Sequence, residues 1–523
     1  MMRGPASIDY AVIALYALGL VVLAVAATRK GGGAQEYFLA SRGASWPTVG
    51  LSLLASNISS TTMVGLAGAA YLSGISVFNY EWMAAVVLVI FVTLMLPALL
   101  ASGVYTMPEL LERRYDRPTR LYFAMLTLFL NLVVDAAGTL YAGGFLFHLL
   151  YPDVPLSMII ALLALTAGLY TAAGGMRAVL YTEVMQALIL LGGSAVIAVA
   201  AFDHAGGWSA VVAAVPPDKL SLIRPLDDPT LPWLGLVIGV PILGFYFWCT
   251  NQFMVQRVLA ARSVDHGRWG CLFAGLLKLP ILWLMVLPGT AALLIAPDLS
   301  RADMVYPTLL FSLIPNGFLG IVIAGFLAAA MSSLAATFNA AATIVTIDFV
   351  RPAFPRASGR ALTRCGQIAT LGFMIAAAAW APQVVRFPSL WQYLQSVLAY
   401  AVPPVVVLFL AGLLWRRASS SGAHAAILAG VATGGALFLL GPVSGRIDLH
   451  FLYAAPIILT ASTIGMIIAS LIRPARQLSP LLWTRAHWHA ESAALACVPW
   501  WQNYRIHGAA LLMLTAALVF AFR

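Results

Sequence analysis

Long apolar runs alternate with short polar connections along almost the entire chain. A helix needs roughly 20 mostly apolar residues to cross a bilayer, and about 14 runs meet that requirement. The runs lie near 8–27, 45–73, 80–102, 119–147, 156–174, 180–203, 232–255, 270–296, 317–346, 362–381, 388–413, 423–441, 451–472 and 506–522. This pattern predicts an all-α integral membrane protein whose first run is a permanent span rather than a cleaved signal peptide.

Composition excludes several classes of protein. Of the 523 residues, 62% are apolar and only 9% are charged, whereas soluble domains carry roughly 25% charged residues. A water-soluble enzyme or a disordered chain is therefore excluded. The net charge of +10 comes from arginines between the apolar runs, so we expect it to face the lipid bilayer and expect no nucleic-acid partner. The four cysteines show neither metal-site spacing nor a disulfide pattern.

The distribution of basic residues predicts the orientation. Most of the 29 lysines and arginines fall in one alternate set of connections, and basic loops stay on the cytoplasmic side. This places the N-terminus outside. Arginine far exceeds lysine, a bias that favours a bacterial inner (plasma) membrane.

Four charged residues interrupt the apolar runs: Glu81, Asp135, Glu183 and Lys278. A charge near the bilayer centre costs roughly 2.5–3.5 kcal/mol, so each one requires an explanation. Two interpretations remain open, namely structural ion pairs such as Asp135 with Lys278, or a polar cavity for a hydrophilic solute. No cluster with metal-ligand spacing and no nucleophile–base pair is evident, so catalysis is not expected.

Two runs have the composition of interrupted helices. Small and hydroxyl residues fill 54–62, and the segment 241–252 contains Pro241 and Gly244. Each segment opens a set of five runs, 45–203 and 232–413, which is typical of an inverted-repeat transporter. We therefore predict a transport core over 45–413. An extra span and cytoplasmic loop over 1–44 precede it, and three spans over 414–523 follow it.

A stretch of small residues at 328–336 contains the adjacent hydroxyls of Ser332 and Ser333. Small residues allow close packing of helices, which is one interpretation of the stretch. The other is a site for a monovalent cation, in which the two hydroxyls join backbone carbonyls freed by the interrupted helix near 54–60.

The chain resembles the sodium:solute symporter family, and within it the sodium/sugar cotransporters. The matching blocks follow one another in order over nearly the whole chain: 55–59, 79–83, 103–109, 170–175, 181–183, 251–252 with 256–257, 276–279, 329–333 and 393–396. The resemblance implies a LeuT-like inverted-repeat core of five plus five helices, with one helix before and three after. It also implies Na⁺ as the coupling ion.

The resemblance assigns roles by matched position. Sodium ligands would be the backbone carbonyls of Ala55, Ile58 and Ala329 and the hydroxyls of Ser332 and Ser333. The solute would be held by Asn57, Glu81, Lys278 and Gln395, and also contacted at the positions of Thr62 and Asp135. Tyr80, Phe247 and Trp248 would form the gates. Glu183 would be a stop on the ion exit path, or alternatively a helix-end charge near Arg177.

Several residues depart from the family pattern, so the resemblance does not specify which solute is transported. Thr62, Ala84 and Gly244 are smaller or less polar than in the galactose binders, whereas Asp135 is more acidic. Ala335 and Ala336 replace the hydroxyls of a second ion site in some members, so we predict one sodium per solute.

These observations predict sodium-coupled import of a monosaccharide or cyclitol by alternating access. A carboxylate or amino-acid symporter of the same fold and a membrane sensor domain are the alternatives. The oligomeric state is left open.

Overall fold

The computed structural model describes residues 4–28, 42–387, 389–475 and 481–523. Within these ranges turns and loops connect the helices, and one isolated bridge joins Ala44 and Ala261. Residues 29–41, part of the predicted N-terminal cytoplasmic loop, and residues 476–480 lie outside the described residues.

The helices of five or more residues other than 3₁₀ and π segments are α1 Ser7–Thr28, α2 Trp46–Asn57, α3 Ser60–Ser73, α4 Asn79–Ile90, α5 Leu96–Ser102, α6 Met107–Arg114, α7 Arg117–Leu130, α8 Ala137–Leu150, α9 Leu156–His204, α10 Gly207–Ala214, α11 Trp233–Phe245, α12 Gln252–Leu259, α13 Val264–Lys278, α14 Leu287–Ile295, α15 Val305–Leu313, α16 Phe318–Ile344, α17 Gly359–Trp380, α18 Leu390–Ala401, α19 Pro403–Leu414, α20 Ser420–Phe438, α21 Phe451–Ile472, α22 Arg485–Ala496 and α23 Tyr504–Ala521. Short π-helical segments continue α4, α7, α11, α16 and α20.

The described residues contain 10 helical stretches long and apolar enough to cross a membrane by length and composition, or 11 if the bent pair α18–α19 is one span. The class of all-α membrane protein is confirmed, but the number of fourteen spans is not. The runs 45–73 and 80–102 count within one stretch, Ser60–Ser102, and at the runs 8–27 and 156–174 the described residues give only the shorter apolar helices Ser7–Gly19 and Leu156–Leu169. The runs 156–174 and 180–203 are joined in the single helix α9.

Glycine and proline affect these joins differently. Gly174-Gly175 does not end α9, because glycine weakens a helix without removing a backbone donor. By contrast, α18 and α19 meet at 51° just before Pro403, where the missing N–H and the ring oppose a straight helix.

The first predicted interruption is confirmed. Between α2 and α3, Ile58 and Ser59 adopt extended backbone angles. The Thr62 hydroxyl donates to the Asn57 carbonyl at 2.9 Å and so satisfies an oxygen that the break frees. The core helix is thus divided near its middle, and backbone groups become available for other contacts.

The second interruption lies at the end of the predicted segment 241–252. Pro241 is inside α11, which continues through a π segment at Tyr246–Thr250. The break occurs at Asn251, whose backbone is extended and whose side chain accepts from the Phe253 N–H at the start of α12. The predicted interruption within 241–252 is therefore confirmed, although Pro241 and Gly244 themselves lie inside a continuous helix. The π turn shifts the register, and an asparagine cap then restarts the helix.

Close helix packing brings the functional segments together. The most extensive contact is between α9 and α16, and α2 packs along α13. A Cβ atom on Gly50 would lie 2.9 Å from the Gly270 carbonyl, so glycine permits the approach of α2 to α13. At the start of α16, the buried Asp9 carboxylate of α1 accepts from the N–H groups of Gly317 and Gly320 at 2.8 and 2.6 Å. The ends of α2 and α13, at Asn57 and Lys278, meet in the interior, and the middle of α16 contacts the end of α2 through Ser332 and Ser333.

Candidate solute cavity and ion site

An internal cavity of about 120 Å³ lies beside the break between α2 and α3. A single water molecule needs only about 10–15 Å³ of such space, so the cavity is large enough for a small solute. The six residues expected to contact the solute all line it: Asn57, Thr62, Glu81, Asp135, Lys278 and Gln395. They come from five different segments of the chain, which the fold brings to one place.

Lys278 is the centre of the charged contacts in this cavity. It lies at the end of α13 with only 1% of its surface exposed. Its ammonium contacts the Glu81 carboxylate and donates to the side-chain oxygen of Asn57. The ammonium also lies 5.9 Å from the centroid of the Trp248 ring. The alternative pairing of Lys278 with Asp135 is not the one observed.

Aromatic side chains line the cavity in two groups. Tyr80 packs edge-on against Trp391, with ring centroids 5.3 Å apart. Phe247 packs against Trp248 and Phe253 at 5.5 and 5.6 Å. Tyr80 and Trp391 also line a second pocket together with His450. The Tyr80–Trp391 pair therefore separates the two spaces.

The adjacent hydroxyls of α16 face the broken helix. Ser332 donates to the Ala55 carbonyl at 3.2 Å, and Ser333 donates to the Ser56 carbonyl at 3.0 Å. Ala55, Ile58, Ala329 and Ser332 are each at most 1% exposed. Predicted ion ligands from α2 and α16 are thus in direct contact, and Ser333 also lines the solute cavity. Hydroxyl and carbonyl oxygens are ligands suited to a hard cation.

Glu183 lies outside the cavity, in the interior of α9, and it is fully buried. Its carboxylate pairs with the buried Arg257 guanidinium at 2.7 Å. Ser56 donates to the same carboxylate at 2.8 Å and accepts from the Arg257 Nε at 2.8 Å. Ser52 bonds to it as well. Glu183 is therefore not a helix-end charge. Arg257 follows the apolar run 232–255 in the sequence, but it is buried within α12 and does not lie in a connecting loop.

The structure also shows where the residues that depart from the family pattern lie. Thr62 uses its hydroxyl to close the break, as described above. Gly244 lines the cavity, and a Cβ there would make only ordinary contact with Val87 at 3.5 Å. Ala84 is buried. Asp135, in the π segment after α7, approaches the side-chain amide of Asn251.

Sequence reasoning missed three residues of this region. Trp391 precedes Gln395 by one helical turn, so its position on the same face of α18 was an available signal. The sequence placed Ser56 and Arg257 within matching family blocks but assigned them no role of their own. Their importance comes from contacts between distant segments, which no local pattern shows.

Comparison with known proteins identifies the family. The family model described as "Sodium:solute symporter family" matches residues 37–430. The sodium/mannose cotransporter SLC5A10 of Bos taurus is 32% identical over 94% of this chain and 89% of its own length. The sodium/myo-inositol cotransporter 2 of Oryctolagus cuniculus is 34% identical over 86% of this chain and 71% of its length.

A solved structure gives the same result for the fold. The substrate-bound, outward-open structure of a Na⁺-coupled sialic acid symporter superposes with a TM-score of 0.78 at 21% identity, covering 90% of this chain and 100% of that one. The fold of this solved structure is consistent with the family that the two cotransporter relatives and the family model indicate. The chain belongs to the sodium:solute symporter family.

Proposed function

We propose that this protein is a sodium-coupled symporter that imports a monosaccharide or a cyclitol by alternating access. The observation that carries the proposal is the cavity, where Asn57, Glu81, Lys278 and Gln395 surround one space next to the Ser332–Ser333 pair. A polyol presents hydroxyls around its rim, and these side chains offer both donors and acceptors. Relatives named as mannose and myo-inositol cotransporters support this class of solute.

The proposed ion site consists of the carbonyls of Ala55, Ile58 and Ala329 with the hydroxyls of Ser332 and Ser333. Sodium there would tie the broken helix to α16. An ion shifts a conformational equilibrium only through its different affinities for the two states, so the tie must exist in one state and be lost in the other. Ala335 and Ala336 offer no hydroxyls, which supports one Na⁺ per solute. The membrane potential adds about 2.3 kcal/mol per charge per 100 mV to the driving force.

Glu183 is proposed to receive the ion on its way to the cytoplasm. In this structure its charge is already satisfied by Arg257. Ser56 connects the two sites, because its carbonyl accepts from Ser333 and its hydroxyl bonds to Glu183. We therefore infer that Arg257 must withdraw before the ion reaches Glu183.

We further propose the domain division and the setting of the chain. The five-plus-five core spans 45–413 and has repeats over 45–203 and 232–413. The many basic connections support an N-terminus outside a bacterial plasma membrane. Multi-pass membrane insertion itself follows from the family and the apolar helices.

Uptake into proteoliposomes tests the function. Labelled hexoses, cyclitols, amino acids and carboxylates are offered with an inward sodium gradient, and a potassium gradient is the control. Accumulation of a sugar or cyclitol only with sodium supports the proposal. Sodium-driven accumulation of an amino acid or carboxylate instead would contradict the solute class, and accumulation of no solute would contradict the function.

A further inference from the structure

The charges that line the solute cavity do not balance. Glu81 and Asp135 each bring a carboxylate, and Lys278 brings the one ammonium among the described lining residues. Because Lys278 contacts Glu81 and Asn57, that pair of charges neutralises itself. Asp135 has the amide of Asn251 as its hydrogen-bond partner and no lysine or arginine beside it in the described residues. One carboxyl group of the cavity therefore lacks a cationic partner.

The orientation of Asn251 makes Asp135 an acceptor. The Asn251 side-chain oxygen accepts from the Phe253 N–H at 3.3 Å, where it caps the start of α12. Its NH₂ group is consequently the part that is free to donate to Asp135. Asn251 does not line the cavity, whereas Asp135 does. Asp135 is thus held from behind and presents its carboxyl group to the solute.

We propose that the solute is a polyol ring that carries a protonated amine, such as an amino sugar, and that Asp135 selects it. The proposal rests on the proposed function and narrows its solute class. A charged amine would form a charge-assisted hydrogen bond with the carboxylate, roughly twice as strong as a neutral one. A neutral hydroxyl would supply no counter-charge to the carboxylate inside the cavity. Asn57 and Gln395 supply the amide groups for the remaining hydroxyls.

Competition for sodium-driven uptake into proteoliposomes tests the inference on the unaltered protein. D-Glucosamine is compared with D-glucose and with N-acetyl-D-glucosamine, which keeps the substituent but removes its charge. The galactose and mannose series are treated in the same way. In at least one series we expect the amine to compete about tenfold better than both neutral forms, a difference of about 1.4 kcal/mol. Equal or better competition by the neutral forms in every series would overturn the proposal.

Asp135→Asn assigns the preference to this residue, since the amide has nearly the same shape and no charge. Within this variant, the ratio of competition by the amine to competition by the neutral parent sugar should fall to about one, whatever the overall rate of uptake. Asp153→Asn, at an exposed loop acid, should change neither. Retention of the amine preference in Asp135→Asn, or an altered sodium requirement in its place, would overturn the assignment.

The wild-type panel separates this inference from the proposed function. Sodium-driven accumulation without an amine preference refutes the inference alone. Absence of sodium-driven accumulation for every sugar refutes the proposed function. If Asp135→Asn fails to fold, the wild-type panel still decides whether the solute is an amine.

Discussion

Replacing Lys278 by methionine should strongly destabilise the protein. Lys278 and Glu81 are 1% and 5% exposed and are in direct contact. Removing one partner of a buried ion pair leaves the other charge without compensation, at a cost of about 3–5 kcal/mol. The Asn57 side-chain oxygen would also lose its donor. We expect the free energy of unfolding of Lys278→Met, measured by equilibrium denaturation in mixed micelles, to fall by this amount.

The double variant Glu81→Gln with Lys278→Met distinguishes stability from transport. Removing both charges eliminates the uncompensated carboxylate, so much of the lost stability should return. Sodium-driven uptake should be lost in the single variants and in the double variant, because the proposed solute contacts of Glu81 and Lys278 are removed. A double-mutant cycle over the two single variants and the double variant gives the coupling energy.

An exposed ion pair supplies the control. Arg113 pairs with Glu109 at 2.7 Å, and 45% of the Arg113 side chain is exposed. Arg113→Met should therefore cost less than about 1 kcal/mol. If Lys278→Met costs no more than this control, or if the double variant loses the sum of the two single effects, the burial argument is refuted.

Three further predictions concern other sites. Ser333→Ala should raise the sodium concentration for half-maximal uptake about tenfold or more. The control Ser462→Ala, which removes a buried hydroxyl in α21, should leave that concentration unchanged. An unchanged sodium dependence in Ser333→Ala would contradict the ion site. Arg257→Gln leaves a buried carboxylate unpaired, so the free energy of unfolding should fall by about 3–5 kcal/mol; a loss below about 1 kcal/mol would contradict this reasoning. In the loop before α11, burial raises the pKa of Asp228, but hydrogen bonds, foremost from Thr230, outweigh it and lower the pKa from 3.8 to about 2. The stabilisation by ionised Asp228 is therefore present above about pH 4 and is lost as the pH falls toward 2. The melting temperature of Asp228→Asn should consequently depend less on pH over this window than that of the unaltered protein. An equal pH dependence in the two proteins would contradict the prediction.

Much of the fold could be predicted because a bilayer imposes local requirements. Every span needs a long apolar run, so the runs near 423–441 and 451–472 correspond closely to α20 and α21. Small and hydroxyl residues at 54–62 correctly located the break between α2 and α3. The break after α11 falls within the predicted segment 241–252, but at Asn251 and not at Pro241, because a π turn carries the helix past the proline.

The partners of the charged residues required the tertiary structure. The apolar runs alone predict that four charged residues need compensation, because the cost of a charge in the bilayer depends on its local surroundings. These residues are Glu81, Asp135, Glu183 and Lys278. Only the fold decided that Lys278 pairs with Glu81 and that Glu183 pairs with Arg257. Ion pairing depends on distances of a few ångströms between segments far apart in the chain. Those distances are set by the packing of the broken helix against α9, α13 and α16.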